Sequence, residues 1–259
     1  MRLDAYLFET KKYPSRNKSS EAVLRGEVLY NGKRCKPSRE VVDETLITFV
    51  SVDTVFVSNG GYKLEKAIKD FNFDAKNKVF VDIGASNGGF TECLLNHGVK
   101  KVYALDIGES QLDKSLILSE KVVVIDNFNA RNLSPSTLGE LVDGVVCDVS
   151  FISLTYVLNA IYSVLKDGGD ALLLIKPQFE CGKQFLGKSG IVKDVNARID
   201  ACNKIYDFSR NLGFGVTGFT VAPIKEKKNV EYVIMLNKGG ETTINFSDIL
   251  RVIKTEREL

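Results

Sequence analysis

The sequence has little histidine and no paired cysteine: His97 stands alone, and the five cysteines, at 35, 93, 147, 181 and 202, form no C-x-x-C motif. A histidine-based zinc site or a Ser-His-Asp triad therefore has little to draw on. An odd set of scattered cysteines reads as reduced, mostly buried small apolar residues rather than as a disulfide framework. His97 follows an apolar helical run and is expected at a helix end or on the surface. No apolar run approaches the ~20 residues that cross a bilayer. Met1-Arg-Leu-Asp-Ala-Tyr-Leu also lacks the uninterrupted apolar stretch of a secretory signal, so the chain is expected in the cytoplasm, without a membrane partner. Nothing matches G-x-x-x-x-G-K-[ST], no internal repeat or low-complexity tract is visible, and the net charge is only +2. Charge matters here through its placement and not its sum.

What is present is enough for one sizeable core and a small second module: 259 residues, 44% hydrophobic and 26% charged. The most informative stretch is Val79-Phe-Val-Asp82-Ile-Gly84-Ala-Ser86-Asn-Gly88-Gly89-Phe90-Thr91, an apolar strand that runs into a glycine-rich turn and then a helix. Glycines at 84, 88 and 89 do not fit G-x-G-x-x-G. They do suit a loop whose backbone approaches a ligand, with Asp82 at the strand end placed to accept hydrogen bonds. About 24 residues on, Lys101-Val-Tyr-Ala-Leu-Asp106 ends on a second acid, where an α/β domain presents a carboxylate to ribose hydroxyls. The pair outlines a nucleoside-shaped site. A dehydrogenase satisfies the same spacing, and a tight turn in any α/β protein explains the glycines alone.

Strand signals at 79 to 83, 101 to 106, 121 to 125, 143 to 147 and 170 to 175 alternate with helical stretches such as Gly88 to Asn96 and Ser153 to Leu165. That alternation predicts parallel strands with crossover helices on both faces. After a long helix from Val195 to Leu212, strands near 214 to 221 and 230 to 236 are expected as an antiparallel pair at the sheet's edge. The tail from Thr242 reads as a helix with Phe246, Ile249, Leu250 and Ile253 on its packed side. This is an α/β, Rossmann-like layout, and ligands in such sheets bind beyond the carboxyl ends of the central strands, where Asp82, Asp106 and Asp148 stand.

The N-terminal region is basic. Lys11, Lys12, Arg16, Lys18, Arg25, Lys33, Arg34, Lys36 and Arg39 are opposed there only by Glu21 and Glu27. The apolar spacing predicts two short helices, and Glu27-Val-Leu-Tyr-Asn31-Gly32-Lys-Arg-Cys places an Asn-Gly turn in a hairpin. A solvated face and a phosphate-binding face are equally compatible with this composition. Arg2-Leu3-Asp4, Ser15-Arg16-Asn17-Lys18-Ser19 and Gly26-Glu-Val-Leu-Tyr-Asn31-Gly32 resemble the S4 RNA-binding module. The resemblance implies that Arg2, Lys11, Lys12, Arg16, Lys18, Arg25, Lys33, Arg34 and Lys36 meet RNA through phosphate and shape.

Gly60-Gly61-Tyr-Lys63, Cys147-Asp148-Val-Ser-Phe, Ile-Lys176-Pro177-Gln178-Phe179-Glu180 and Asn229-Val-Glu231 together resemble the Lys-Asp-Lys-Glu set of RNA ribose 2'-O-methyltransferases. A ribose hydroxyl is a weak acid, so its methylation calls for a base. Lys176, placed near Lys63 and a sulfonium, is the candidate, with Asp148 and Glu231 holding the amines. The loop after Asp148 lacks the prolines common in base N-methyltransferases, which favours ribose.

The whole pattern resembles the TlyA family, often labelled hemolysin A. It implies a class I S-adenosylmethionine-dependent methyltransferase domain with a small α+β S4-like domain at its N-terminus: residues 1–50, a connector over 51–61, and the methyltransferase domain over 62–259. It further implies ribosomal RNA or ribosomal subunits as partners, a cytidine ribose as target and no metal. The cofactor residues are Asp82, Gly84, Ser86, Gly88, Gly89, Phe90, Asp106 and Asp148, with Asn127 and Asn129 falling where the family contacts adenine. Two departures stand out: Asn59 replaces the family's usual arginine, and Pro223-Ile-Lys-Glu226-Lys-Lys228-Asn229 replaces a glycine-rich approach to Glu231. A membrane-damaging hemolysin and a non-catalytic RNA-binding assembly factor are the competing readings. The first lacks an insertion segment and the second is at odds with an intact lysine set.

Overall fold

The computed structural model describes residues 1–25, 27–49, 56–109, 111–187, 189–223 and 228–256, the side chains of Arg25 and Arg34 excepted. The chain divides into two compact units, Met1–Val55 and Phe56–Leu259.

In the first unit, helices α1 (Leu3–Glu9) and α2 (Arg16–Arg25) precede a three-stranded antiparallel sheet of β1 (Val28–Tyr30), β2 (Lys33–Arg34) and β3 (Ile47–Phe49), ordered β2-β1-β3. The expected hairpin is β1 and β2, turning at Asn31 and Gly32, both left-handed. The third strand adds to that expectation. Its three residues carry no readable period, and it forms because Val28 to Tyr30 offer a second pairing edge. Leu3, Leu7, Ala22, Val23 and Val28 make the small core.

The second unit begins with α3 (Asn59–Asp70), capped by Ser58, whose side chain accepts from the Gly60 amide. The extended connector expected through residue 61 therefore ends earlier, because Asn59, Gly60 and Gly61 are the helix's first turn. Residues 50–55 lie outside the described ones. There follow β4 (Val79–Ile83), α4 (Gly89–Asn96), β5 (Lys101–Leu105), α5 (Lys114–Ile117), β6 (Val122–Ile125), α6 (Pro135–Leu138), β7 (Val142–Cys147), α7 (Leu158–Val164), β8 (Leu165–Ile175), α8 (Pro177–Glu180), α9 (Val195–Asn211), β9 (Phe214–Val221), β10 (Tyr232–Lys238) and α10 (Phe246–Thr255). The strands form one sheet, ordered β6-β5-β4-β7-β8-β10-β9. It is parallel from β6 through β8, and β10 and β9 close it as the expected antiparallel edge pair.

Strand β4 is buried along its whole length, as a strand covered on both faces must be. Its alternate residues feed two cores. Val79, Val81 and Ile83 pack with Leu158, Ile161, Ile205, Ile249 and Ile253 from α7, α9 and α10. Phe80 packs with Leu64, Ala67, Phe90 and Leu94 from α3 and α4. Chain order reverses direction between β4 and β7, and this switch point is where an open parallel sheet leaves a crevice.

Candidate active site

The loop after β4 turns on three positive-φ residues, Gly84 (+81°), Ser86 (+47°) and Gly88 (+93°). Beside it lies a cleft of about 300 Å³, lined by Ser58, Asn59, Gly60, Gly84, Ala85, Ser86, Asn87, Gly89, Phe90, Asp148, Ser150 and Lys176. Two of the glycines are required by protein packing. A Cβ on Gly84 would stand 2.8 Å from the Asp148 carbonyl oxygen, where the ends of β4 and β7 meet. A Cβ on Gly89 would stand 2.2 Å from Ser58 Oγ and 2.7 Å from the Gly61 amide, where the first turns of α3 and α4 meet.

The acids at the strand ends occupy different environments. Asp106 accepts from the Ser86 amide at 2.8 Å and the Gly108 amide at 3.1 Å, which fixes the loop to the end of β5. Asp82, expected to face the cleft, is instead wholly buried. Its parity along β4 is that of Phe80, so it points toward α4, where Thr91 Oγ1 donates to Oδ2 at 2.6 Å. Oδ1 has no hydrogen-bond partner among the described residues. Burial pushes the Asp82 carboxyl up to about 7, against the Thr91 bond and with help from the charge of Asp148. Asp106, Gly88, Asn127 and Asn129 also lie outside the cleft lining. Gly88 caps α4, Asn127 is a left-handed residue whose amide donates to the Gly108 carbonyl, and the Asn129 side chain caps the Arg131 amide. The Phe128 amide donates to the Asp106 carbonyl, which keeps this loop beside β5.

At the same end of the sheet, four charged side chains from four places in the chain converge. Lys63 comes from the first turns of α3, Asp148 follows β7, Lys176 follows β8 and Glu231 precedes β10. Tyr232 pairs with Ile175, so the next residues outward, Lys176 and Glu231, lie side by side at the sheet's end. Asp148 bridges the two lysines, Oδ1 at 2.6 Å from Lys176 Nζ and Oδ2 at 3.6 Å from Lys63 Nζ. Glu231 holds Lys63 from the other side at 2.7 Å. Two ammonium groups and two carboxylates leave the cluster neutral when all are ionised, which makes burial of so much charge tolerable. Burial pulls the Lys63 amine down, but Asp148 and Glu231 more than offset it, so its pKa lies above the ordinary lysine value. Lys176 is 8% exposed and is followed by Pro177, which opens α8 and stiffens the mount.

Three neighbours of this cluster carried no signal of their own in the sequence. Ser150 Oγ accepts from Lys176 Nζ at 2.8 Å, and Gln178 Nε2 donates to Glu231 at 3.3 Å. Phe151 is 87% exposed with φ +66° and lies against Phe179, ring centroids 5.1 Å apart. All three sit inside the motifs around Asp148 and Lys176, yet spacing gives no hint of their contacts. Residues 224–227, which include part of the charged approach to Glu231, lie outside the described residues.

In the first unit, Arg2 makes a paired contact with buried Asp4 at 2.8 and 3.1 Å, and Arg16 reaches the same carboxylate at 3.4 Å. The Arg2 hydrogen bond outweighs burial and, with Arg16, holds the Asp4 carboxyl down at about 2. These two cations thus serve the fold as well as the surface. Lys18 pairs with Glu21, while Lys11, Lys12, Lys33 and Lys36 are exposed, with the Lys12 amine over the Phe49 ring.

Residues 56–238 match the FtsJ-like methyltransferase family and residues 1–47 the S4 domain. Hemolysin A of Brachyspira hyodysenteriae is 39% identical over 90% of this chain and 98% of its own length. The 16S/23S rRNA (cytidine-2'-O)-methyltransferase TlyA of Mycobacterium tuberculosis is 37% identical over 94% of this chain and 92% of its own. The solved structure called "Putative hemolysin from Streptococcus thermophilus" is 32% identical, with a TM-score of 0.77 over all of this chain and 96% of that one.

Proposed function

Since the chain belongs to the TlyA family, an S4 domain joined to an FtsJ-like methyltransferase, we propose that it transfers a methyl group from S-adenosylmethionine to a cytidine ribose 2'-hydroxyl of ribosomal RNA. The observation that carries this reading is the Asp148 carboxylate bridging Lys176 and Lys63, with Glu231 on Lys63, beside a glycine-walled cleft.

The cleft suits a nucleoside cofactor. Its lining includes Gly84, Ser86 and Gly89 of the loop, and Asp106 stands at the adjoining strand end, tied to that loop through the Ser86 amide. Asp106, Ser86 and Phe90 would hold S-adenosylmethionine, with Gly84 and Gly89 shaping the wall. When bound, it supplies an electrophilic methyl group. Lys63, shared by two carboxylates, keeps its proton and fixes Asp148 and Glu231 in place. Lys176 would serve as the general base that accepts the 2'-hydroxyl proton while the ribose oxygen takes the methyl group the cofactor would supply. Ser150 keeps the amine pointed at the cleft through its hydroxyl. Phe151, one residue past Ser150 of the cleft lining, offers an exposed aromatic face, and a bulky residue at positive φ is strain of the kind that collects at working sites. The hemolysin label of some relatives finds no counterpart in a spanning helix. No helix among the described residues is long and apolar enough to cross a membrane.

The test is transfer of labelled methyl to purified small and large ribosomal subunits, with the product mapped by resistance to alkaline cleavage. Lys176→Ala is expected to bind cofactor normally and to lose about a hundredfold or more in rate, the range of a general base. No transfer to either subunit by the unmodified protein, with cofactor bound, would instead support an RNA-binding assembly factor.

A further inference from the structure

His97, the chain's single histidine, ends α4 as its C-cap, but it is not isolated there. Its Nε2 lies 2.7 Å from Glu65 Oε2, and the Cys93 thiol, one turn earlier on the same helix and fully buried, donates to that same oxygen at 3.6 Å. The three candidate donor atoms all lie within 4.8 Å of one another. Lys69 holds the other carboxylate oxygen, Oε1, at 2.9 Å, so Oε2 is the one turned toward the sulfur and the imidazole.

We propose that Glu65, Cys93 and His97 form a binding site for a zinc-type divalent ion that clamps α3 to α4. The donor set decides the kind of ion. A thiolate and an imidazole with a single carboxylate suit zinc and its spectroscopic substitute cobalt(II), whereas magnesium and calcium call for oxygen ligands. Spacing on the helix also suits it, because residues four apart share a helix face. Zinc bonds of roughly 2.0 Å to nitrogen and oxygen and 2.3 Å to sulfur require neighbouring ligand atoms about 3.3 to 3.7 Å apart in a tetrahedron. The sulfur-to-oxygen distance of 3.6 Å already meets this, the 2.7 Å nitrogen-to-oxygen contact must open by about half an ångström, and the sulfur and nitrogen, within 4.8 Å of each other, must settle at about 3.5 Å. Charge balances as well. The ion displaces the thiol proton, and a thiolate, a carboxylate and a neutral imidazole then balance a dication. The imidazole is half-buried, so its outer side gives the ion entry and leaves the fourth position to water.

The location gives the site a consequence. Glu65 is two residues beyond Lys63 on α3, and α4 begins at Gly89 and Phe90 in the cleft wall. An ion joining these two helices fixes the framework that carries both, whatever reaction the cleft performs.

Metal-stripped full-length protein titrated with cobalt(II) is expected to show a thiolate-to-cobalt charge-transfer band with the visible bands of a four-coordinate ion, and zinc should displace both. His97→Gln and Glu65→Gln should each weaken cobalt binding by about tenfold or more while circular dichroism stays unchanged. Cys93→Ser should abolish the charge-transfer band. Zinc should raise the melting temperature of the unmodified protein more than that of His97→Gln at the same zinc concentration. Absence of the band, its survival in Cys93→Ser through another cysteine, or unchanged affinity in His97→Gln overturns the proposal. If Cys93→Ser fails to fold, the His97→Gln affinity alone decides.

Discussion

Phe151 is a side chain whose position its own stability does not explain. It is 87% exposed, touches Phe179 along one side and adopts φ +66°, a torsion that β-carbon sterics disfavour. An exposed aromatic one residue past Ser150 of the cleft lining is suited to take a nucleobase, and base-to-aromatic stacking contributes about 1 to 3 kcal/mol. Phe151→Ala is therefore expected to raise KM for RNA about tenfold or more while cofactor affinity and melting temperature hold, since exposed substitutions seldom move stability by more than about 0.5 kcal/mol. An unchanged KM for RNA in steady-state methylation assays would show that the ring serves only its neighbour. Asp82 is the opposite case, a charge made costly by position. Its folded pKa of about 7 exceeds the ordinary 3.8, so between these values the folded protein holds a proton that the unfolded chain has released. Stability contributed through this group consequently falls as pH rises from about 4 to about 7 and is level above that. Asp82→Asn should remove that slope, so its stability relative to the unmodified protein improves between pH 4.5 and 7.5 by an amount on the order of a few kcal/mol. Urea unfolding at the two pH values measures it; equal differences at both would mean that Asp82 titrates like a surface acid.

Individual elements are held by contacts that local sequence does not announce. α10 is amphipathic, and its packing side, Ile249 and Ile253, is readable from spacing alone. Its anchor is not. Glu256, just beyond the helix, is buried with Arg198 of α9 at 2.5 Å and accepts from the Tyr232 hydroxyl on β10, and the ion-paired residues stand 58 apart in sequence. The same network reaches toward Glu231, because Arg198 also donates to the Val192 carbonyl while Asn229 accepts from the Val192 amide. Glu256→Ala leaves the Arg198 guanidinium buried without its carboxylate and is expected to cost roughly 3 to 5 kcal/mol, whereas replacing both partners by apolar residues of similar volume should recover most of that loss. Chemical denaturation of the two variants tests this; equal stability of Glu256→Ala and the unmodified protein would show the pair to be inert. The elements themselves were largely legible because strands buried on both faces leave continuous apolar runs, and β4 appears where those runs place it, at 79 to 83. What the glycine loop concealed was the reason for its glycines. Gly84 and Gly89 are needed where protein meets protein, and Asp82 follows the parity of its strand and not the expectation drawn from its motif. The lysines and acids could be singled out by residue type, but Ser150 and Gln178 could not, since hydroxyl and amide contacts across the sheet's end depend on register.

At the scale of the molecule, the chain has two separately cored units. The lysine and carboxylate cluster lies wholly in the second unit, whereas the basic stretch prominent in the sequence lies in the first. Within that stretch the cations are not equivalent. Arg2 and Arg16 close around Asp4, so replacing them would disturb the small core's own clasp and confuse any binding measurement. Lys11, Lys12, Lys33 and Lys36 are exposed and are the cleaner probes of a phosphate-binding surface. Each neutralised phosphate releases condensed counterions, so giving one up lowers the slope of log affinity against log salt by about 0.7 to 0.9. Replacing all four lysines by alanine is expected to weaken binding to ribosomal RNA, reduce that slope by this amount for each phosphate no longer held, and raise KM for RNA, leaving cofactor affinity and the rate at saturating RNA unaltered. Filter binding across a salt series, run alongside the methylation assay, separates the outcomes. A slope that does not change would remove these lysines from the RNA surface, and a fall in the saturated rate would mean that the first unit shapes the reacting geometry as well as gripping the substrate.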